Sequence, residues 1–152
     1  MAIYHGKFIH AIDHKGRISL PARFRKDGKT KKFMLFRGME NCLLLFTAPD
    51  WDRMISERSD LLTIESEAHR NYQHFLGAYT SEVELDGQGR ITIPPHLLEA
   101  GGLKREAVIV GAIKWIEIWD PAEHQRFEEE VSFKEVAEKV FRTVQEMRKE
   151  RG

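Results

Sequence analysis

The stretch DHKGRISLP, residues 13–21, returns 73 residues later as DGQGRITIP, residues 86–94. Asp, Gly, Arg and Pro hold the same places in both copies, and the aliphatic residues between them stay aliphatic. The same shift places NCLLLFTAPDW, residues 41–51, on KWIEIWDPAEH, residues 114–124. Self-similarity at one fixed spacing indicates a repeated structural unit. The chain is therefore predicted to be a duplicated module.

Each copy reads as a tight turn followed by a short strand. Asp can accept a hydrogen bond from the backbone two residues further on, and Gly tolerates the positive φ that such turns require. In RISL and RITI the side chains alternate between two faces, and the following Pro ends the strand because it cannot donate to a sheet ladder. The aliphatic residues should point to the core, which leaves four outward positions: Arg17, Ser19, Arg90 and Thr92.

Apolar runs predict the other strands, and capping residues predict where helices begin. The strand runs are KFIHAI (7–12), FMLFR (33–37), CLLLF (42–46), EVEL (82–85), AVIVGA (107–112) and WIEIW (115–119). Helices should begin after Thr47 and after Asp120, where Pro lies in the first turn. Further helices are predicted over residues 67–76 and within PPHLLEAGG (94–102), and a helical turn with a basic loop in ARFRKDGKTKK (22–32).

The C-terminal segment is predicted to form an amphipathic helix. Ser132 and Glu135 have the spacing of a capping box. The apolar residues that follow are at helical spacing: Phe133, Val136, Ala137, Val140, Phe141, Val144 and Met147. A stripe of this kind needs a partner surface, which is either the core of the same chain or a neighbouring subunit.

Composition indicates a globular protein without membrane spans or disulfides. The 152 residues are 41% hydrophobic and 32% charged, which is typical of soluble domains. The longest apolar run, residues 42–46, is far too short to cross a bilayer, and the N-terminus lacks the apolar segment of a signal peptide. Cys42 is the only cysteine, which predicts a buried free thiol and a cytosolic location.

The charge of the chain is unevenly distributed. The net charge is zero, which by itself argues against a nucleic-acid-binding protein. Between positions 15 and 32, however, eight basic residues face a single acid, Asp27. The basic residues are Lys15, Arg17, Arg23, Arg25, Lys26, Lys29, Lys31 and Lys32. Such a cluster can attract phosphate even on a neutral molecule, and it can equally be a solvated loop.

Arg17 and Arg90 are the strongest candidates for a contact with nucleic acid. An Arg held at a strand start presents a planar fork that matches phosphate or a guanine edge with two hydrogen bonds. The alternative is that each Arg only forms an ion pair with the Asp four residues before it, Asp13 or Asp86, and stabilises the turn. The two interpretations are compatible, since the carboxylate can hold the Arg in position for a phosphate.

The chain resembles the MraZ family of bacterial transcriptional regulators. The resemblance is carried by DHKGRISLPARFR (13–25), GMENCLLLFTAPDW (38–51) and DGQGRITIPPHLL (86–98), and it extends to about residue 125. It implies a pseudo-two-fold, swapped-hairpin β-barrel of the AbrB type, built from two repeats. With the flanking helices and the C-terminal amphipathic helix predicted above, the expected fold is α+β. It also implies a regulator of the division and cell wall gene cluster that binds promoter direct repeats as a ring-like homo-oligomer.

The D-x-x-x-R pairs are the signature of this family and assign functional residues to the chain. The resemblance implies that the DNA-binding residues are Lys15, Arg17, Gln88 and Arg90. It implies that the turn-supporting residues are Asp13, Gly16, Asp86 and Gly89. Because Gln88 stands where the first turn has Lys15, we expect the second turn to contribute less to affinity.

The same resemblance suggests the domain organisation of the chain and its binding partners. We place the AbrB-like modules at residues 1–52 and 79–124, with a linking helical segment at 53–78 and a helical tail at 125–152. The expected partners are double-stranded promoter DNA and further copies of the chain, in the cytoplasm and at the nucleoid. Neither a membrane nor a small-molecule substrate is expected as a partner.

Enzyme activity is not expected. The chain has no G-x-x-x-x-G-K-[ST], G-x-S-x-G or H-E-x-x-H motif and no recognisable cofactor-binding pattern. DGQGR resembles the start of a calcium loop, but Gln88 and Arg90 stand where oxygen ligands are needed, and Arg is prohibitive there. We therefore expect no metal and no cofactor.

Two alternatives from other classes stay open. One is a ring-forming assembly or scaffold protein that binds no nucleic acid, which the amphipathic tail and the zero net charge favour. The other is an antitoxin of the AbrB type. Those chains usually have a single module, so the duplication argues against this second alternative.

Overall fold

The computed structural model describes residues 3–25, 28–59 and 62–152. Over these residues the protein is a mixed α+β chain with eight strands and five α-helices. The strands are β1 (Tyr4–Ala11), β2 (Arg17–Ser19), β3 (Lys32–Arg37), β4 (Cys42–Thr47), β5 (Thr80–Glu84), β6 (Arg90–Thr92), β7 (Glu106–Ile113) and β8 (Ile116–Trp119). The helices are α1 (Ala48–Arg58), α2 (Glu67–Ala78), α3 (Pro95–Ala100), α4 (Pro121–Glu130) and α5 (Phe133–Arg151).

The predicted strands and helices are confirmed. The helical turn expected at the start of the basic loop is a short 3₁₀ helix, Ala22–Arg25. Residues 1–2 of the expected first module, Lys26 and Asp27 of the basic loop, and residues 60–61 of the expected linking segment lie outside the described residues.

The two modules exchange strands. The first strand of each module pairs with the third strand of the other, so that β1 pairs with β7 and β5 pairs with β3, both antiparallel. The hairpins β3–β4 and β7–β8 then meet through the pairing of β4 with β8. The resulting order, β1-β7-β8-β4-β3-β5, is unchanged when the two modules are exchanged. The duplication read from the sequence is therefore a pseudo-two-fold axis in the fold.

Six of the eight strands form an open sheet with β1 and β5 at its edges. The closed, swapped-hairpin barrel that the family resemblance implies is therefore not confirmed. What is observed is an antiparallel sheet shared by two repeats, with β2 and β6 forming a separate two-stranded ribbon.

The ribbon of β2 and β6 lies on the pseudo-two-fold axis. Ile18 and Ile91 are opposite each other at its centre, and both are 0% exposed. Beyond the strands, Leu20 donates its backbone N–H to the Gly89 carbonyl at 3.0 Å, and Ile93 donates to the Gly16 carbonyl at 2.9 Å. The predicted inward positions of the repeated stretch are thus confirmed, and each turn is tied to the strand of the other module.

The sheet and the ribbon share one apolar core. Its fully buried aliphatic residues come from both modules and include Leu35, Leu43, Leu45, Ile109, Ile116 and Ile118. Full burial of one such side chain stabilises the fold by roughly 1.5–3 kcal/mol. Cys42 is a buried free thiol, as predicted, and burial raises its pKa.

The helices begin at the predicted residues. Thr47 Oγ1 accepts from the Asp50 backbone N–H at 3.2 Å at the start of α1. Ser132 Oγ accepts from the Glu135 backbone N–H at 3.3 Å at the start of α5. These side chains satisfy N–H groups that have no partner within the helix.

The chain consists of two compact units, Met1–Pro121 and Ala122–Gly152. In the second unit, the apolar stripe of α5 remains accessible in the single chain, with Phe133 87% exposed and Phe141 65% exposed. None of the residues of α5 is buried. Within the described ranges, no helix is both long enough and apolar enough to span a membrane.

We expect Gly111→Ala to separate β1 from β7. Gly111 lies opposite Gly6, and a methyl group at its Cα would lie 2.5 Å from the Tyr4 carbonyl carbon and closer still to the His5 nitrogen. Because these are backbone atoms, the strands must move apart, which should lower the free energy of unfolding in urea by roughly 1–3 kcal/mol.

The control for this prediction is Gly77→Ala in α2. Apart from the backbone of its own helix and its two chain neighbours, a methyl group there would meet no atom of the described residues within 4 Å. Replacing a helical Gly by Ala should raise the free energy of unfolding by up to about 1 kcal/mol. Equal unfolding midpoints for the Gly111 variant and the unchanged protein would contradict the β1–β7 pairing.

Candidate nucleic-acid interface

The first repeated turn is organised by the carboxylate of Asp13. Its Oδ1 accepts the backbone N–H groups of Lys15 and Arg17, each at 2.9 Å. Its Oδ2 accepts the Arg17 Nε at 2.7 Å. The backbone closes the same turn, because Asp13 N–H donates to the Arg17 carbonyl and Gly16 N–H donates to the Asp13 carbonyl, both at 3.0 Å.

The second turn repeats every one of these bonds. Asp86 Oδ1 accepts the backbone N–H groups of Gln88 at 2.8 Å and Arg90 at 3.0 Å, and Oδ2 accepts the Arg90 Nε at 2.9 Å. Asp86 N–H donates to the Arg90 carbonyl at 2.8 Å, and Gly89 N–H donates to the Asp86 carbonyl at 3.0 Å. The nine-residue repeat is therefore a repeat of one hydrogen-bond pattern.

A glycine is needed at one position of each turn. Gly16 has φ 78° and Gly89 has φ 75°, a region that residues with a Cβ rarely adopt. There is also no room for a side chain at Gly16, since a methyl group there would lie 2.9 Å from the Ile93 carbonyl oxygen. Both glycines are buried, and their positive φ is compatible with the turn-supporting role expected from the sequence.

The two arginines lie on the outer face of the β2–β6 ribbon. Arg17 is opposite Thr92 and Arg90 is opposite Ser19, so the pair lies diagonally across the buried Ile18–Ile91 pair. Their side chains are 28% and 25% exposed. The outward orientation predicted for both arginines is confirmed.

Each guanidinium is anchored through Nε only. Among the described residues, the terminal Nη atoms of Arg17 and Arg90 make no hydrogen bond. Because Asp occupies only the Nε side of each guanidinium, the two Nη atoms remain available. Paired N–H donors of this kind bind phosphate or the edge of a guanine. The ion pair predicted from the sequence therefore exists at both turns, and it holds each Arg without occupying its terminal donors.

Hydrogen bonding to the charged form lowers the pKa of both turn aspartates. The backbone N–H of Arg17 is the largest cause at Asp13, followed by its side chain and by the Lys15 N–H, and the pKa falls to about 2. The Arg90 backbone N–H likewise lowers the pKa of Asp86. Both carboxylates are thus held ionised, which keeps the Arg anchors in place at neutral pH.

The remaining predicted residues are exposed at the turns. Lys15 and Gln88 occupy equivalent positions, and both side chains are accessible. In the basic loop, Lys32 lies 3.7 Å from Glu82 and is therefore partly compensated. Lys26 and Asp27 of the same loop are outside the described residues.

One basic residue at the interface was predicted only as a member of the basic cluster, without a site of its own. Arg25, at the end of the 3₁₀ helix, lies against Gly89 of the second turn and donates from Nε to the Leu20 carbonyl at 3.0 Å. The 73-residue shift aligns Arg25 with Leu98. The difference between a charged and an apolar residue at equivalent positions is a signal that the sequence contains. It does not show which turn the Arg25 side chain contacts.

The interface offers hydrogen-bond donors. Within residues 3–25, 28–59 and 62–152, no group of three or more His, Cys, Asp or Glu side chains is placed to hold a metal ion. The turns present anchored guanidinium groups on one face. Such an arrangement can bind anionic groups that carry paired oxygen acceptors.

Comparison with known proteins gives consistent matches along the chain. The family model described as "MraZ protein, putative antitoxin-like" matches twice, over residues 3–71 and 75–146. The transcriptional regulator MraZ of Acetivibrio thermocellus is 33% identical over 140 residues, which cover 91% of this chain and 96% of that relative. The same-named protein of Pelotomaculum thermopropionicum is 37% identical over 140 residues, covering 91% of this chain and 95% of the relative. That of Thermomicrobium roseum is 40% identical over 116 residues, covering 76% and 80%.

We expect the Asp13 carboxyl to titrate with a pKa of about 2, below its ordinary 3.8, because its hydrogen bonds favour the charged form. A lowered folded-state pKa stabilises the fold fully above the unfolded value, and this contribution is lost as the pH falls through the folded value. Carbon NMR of the carboxyl group over about pH 5 to pH 1.5 would measure the titration directly.

Asp13→Asn should flatten the pH dependence of the unfolding midpoint in that acid range, since the variant has no carboxylate to protonate. Asp52→Asn, which removes an exposed carboxylate from α1, is the matched control. A titration of Asp13 at its ordinary pKa would show that the turn hydrogen bonds do not persist in solution.

Proposed function

The chain belongs to the MraZ family, and from this premise we propose that it is a sequence-specific DNA-binding transcriptional regulator. The proposal extends to the division and cell wall gene cluster, whose promoter would carry the direct repeats that it binds. It also includes a ring-like homo-oligomer in the cytoplasm, associated with the nucleoid. The names of the relatives, each a transcriptional regulator MraZ, support the general role.

The observation that carries the proposal is the pair of anchored arginines on one ribbon face. Arg17 and Arg90 are related by the pseudo-two-fold axis, and each is fixed by an Asp through its Nε. Because the side chains are already ordered, little conformational entropy remains to be lost when they meet a partner. Two such groups at a fixed spacing suit a regular polyanion better than a single small anion.

A two-stranded ribbon also has suitable dimensions for duplex DNA. The major groove of B-DNA is about 12 Å wide and admits a β-ribbon, while paired strands lie about 4.8 Å apart. Phosphate contacts would set the position of the ribbon on the duplex, and base-edge contacts would supply the sequence choice. We assign both kinds of contact to Arg17, Arg90 and the exposed residues beside them, Lys15 and Gln88.

The homo-oligomer is supported by the apolar surface of the helices. The stripe of α5 is exposed in the single chain, and so are Tyr72 and Phe75 of α2. Linked copies raise the effective concentration of the second and later turns at tandem sites. Weak contacts by single turns would then add up to useful affinity for direct repeats.

We also propose the finer architecture that the family implies. The exchanged pairings β1–β7 and β3–β5 support a swapped-hairpin arrangement of the AbrB type. The proposed divisions are two modules, 1–52 and 79–124, a linking segment, 53–78, and a tail, 125–152.

The double variant Arg17→Ala plus Arg90→Ala tests DNA binding. Each arginine should contribute about 1–3 kcal/mol, so affinity for duplex DNA from upstream of the protein's own gene should fall about 30-fold or more. Fluorescence anisotropy over a range of salt concentrations would measure it. Arg126→Ala is the matched control, because Arg126 also ion-pairs with a nearby carboxylate, Glu123, at 2.9 Å.

The alternatives predict different outcomes in this experiment. A scaffold protein without nucleic-acid binding would show no salt-dependent binding in any variant. Unchanged affinity in the double variant, with binding by the unchanged protein, would mean that the ribbon face is not the DNA interface.

Asp13→Asn separates positioning from charge. Removing a negative charge beside DNA should by itself tighten binding, because the phosphates are anionic. We expect weaker binding instead, since Nε of Arg17 loses its charged anchor. Asp52→Asn reports the effect of charge alone, and tighter binding by both variants would show that the Asp13 anchor plays no part in recognition.

A further inference from the structure

Arg25 lies flat against the turn of the other module. A methyl group built on Gly89 would lie 2.6 Å from Cζ, 2.6 Å from Nη1 and 2.9 Å from Nε of Arg25. Three nearly equal distances mean that the face of the guanidinium covers the Cα of Gly89. The guanidinium therefore occupies the space beside Gly89 that a side chain would fill, one residue before Arg90.

Arg25 is held in this place by its own module. Its Nε donates to the Leu20 carbonyl at 3.0 Å. The 3₁₀ helix that carries it is anchored by Phe24, whose ring packs edge-on against Tyr4 and Phe8 with centroids 5.5 Å apart. Among the described residues, the Nη atoms of Arg25 make no hydrogen bond. Two ordered donors are thus left beside the second turn.

Packing alone does not require a charge at this position. The pseudo-two-fold axis places Leu98 against Gly16 as Arg25 lies against Gly89, with Leu98 Cδ1 3.2 Å from a methyl group built on Gly16. The same space beside a turn is therefore filled by an apolar side chain in one half of the molecule. The filling of this space therefore does not explain why Arg25 carries a charge.

We propose that Arg25 contacts a phosphate of the DNA backbone beside Arg90 and replaces, at the second turn, the charge that Lys15 supplies at the first. This inference rests on the proposed function. Gln88 leaves the second turn with one cation of its own, and Arg25 restores the number to two. The second turn has fewer cations than the first only when the residues of the turn itself are counted.

A phosphate is the partner that this geometry favours. Arg25 lies at the end of the ribbon and outside its two strands, whereas base edges would face the outer surface between the arginines. Because the face of the guanidinium lies against Gly89, its N–H donors lie in the plane of the group and point away from its edge. A phosphate can accept them in two parallel bonds. Contacts of this kind position the protein without reading the sequence.

Arg25→Leu is the most direct test, because it installs the residue that the symmetric position already carries. The unchanged protein and the variant would be titrated with the upstream duplex and with an unrelated duplex of equal length. Removal of one phosphate contact should reduce the salt slope by about 0.9 per bound chain. Between 50 and 200 mM salt, the unchanged protein should then lose about 3.5-fold more affinity than the variant on both duplexes.

Adding Gln88→Lys to Arg25→Leu gives a rescue. If Arg25 replaces the missing lysine, the double variant should recover the salt slope of the unchanged protein. Urea unfolding of each variant reports folding, and Arg25→Gln takes the place of Arg25→Leu if the leucine variant does not fold. An unchanged slope in a folded charge-removed variant would overturn the inference, and so would a loss confined to the upstream duplex, because that pattern indicates base reading.

Arg17→Ala distinguishes failure of this inference from failure of the proposed function. If Arg17→Ala weakens binding while Arg25→Leu does not, Arg25 is not a DNA contact and the ribbon assignment stands. If the unchanged protein binds neither duplex, the proposed function itself is wrong and the inference falls with it.

Discussion

One carboxylate at each repeated turn holds the candidate interface together. Asp13 and Asp86 each accept two backbone N–H groups and one arginine Nε. The backbone bonds fix the turn, and the turn fixes where the next strand begins. Side-chain alternation then places Ile18 and Ile91 in the core and their arginine neighbours on the outer face. The carboxylate whose Oδ1 shapes the turn therefore also positions the guanidinium group, through its Oδ2.

The duplication makes each module depend on the other. The first strand of one module pairs with the third strand of the other, and the carbonyls of Gly16 and Gly89 accept N–H groups across the pseudo-two-fold axis. A module by itself would leave these backbone groups without partners, at a cost comparable to a lost hydrogen bond for each buried group. The shared core spreads over both repeats for the same reason. Both turns are consequently held in place by bonds to one ribbon.

Much of this could be read from local patterns. Period-two alternation predicts the inward aliphatic residues of the ribbon, and the hydroxyl residues Thr47 and Ser132 predict the starts of α1 and α5. The hairpin of β3 and β4 was also predictable, since a short turn joins the two strands. The pairing of strands from different modules could not be predicted in this way, because local patterns do not identify a distant partner. The expected barrel illustrates the difference, since the described strands form an open sheet. The apolar stripe of α5 was predictable as a stripe, while its exposure in the single chain was not.

The sequence by itself determined the two turns, because every group that closes them lies within five consecutive residues: Asp, two intervening residues, Gly and Arg. Bonds over so short a distance depend on residue type and spacing alone. The tertiary structure alone decided which distant side chains join each turn. Arg25 and Leu98 are equivalent in the repeat, and the pairing of β2 with β6 brings each to the turn of the opposite module. The charge balance at the ribbon is therefore a property of the folded pair of modules, since it depends on contacts between distant parts of the sequence.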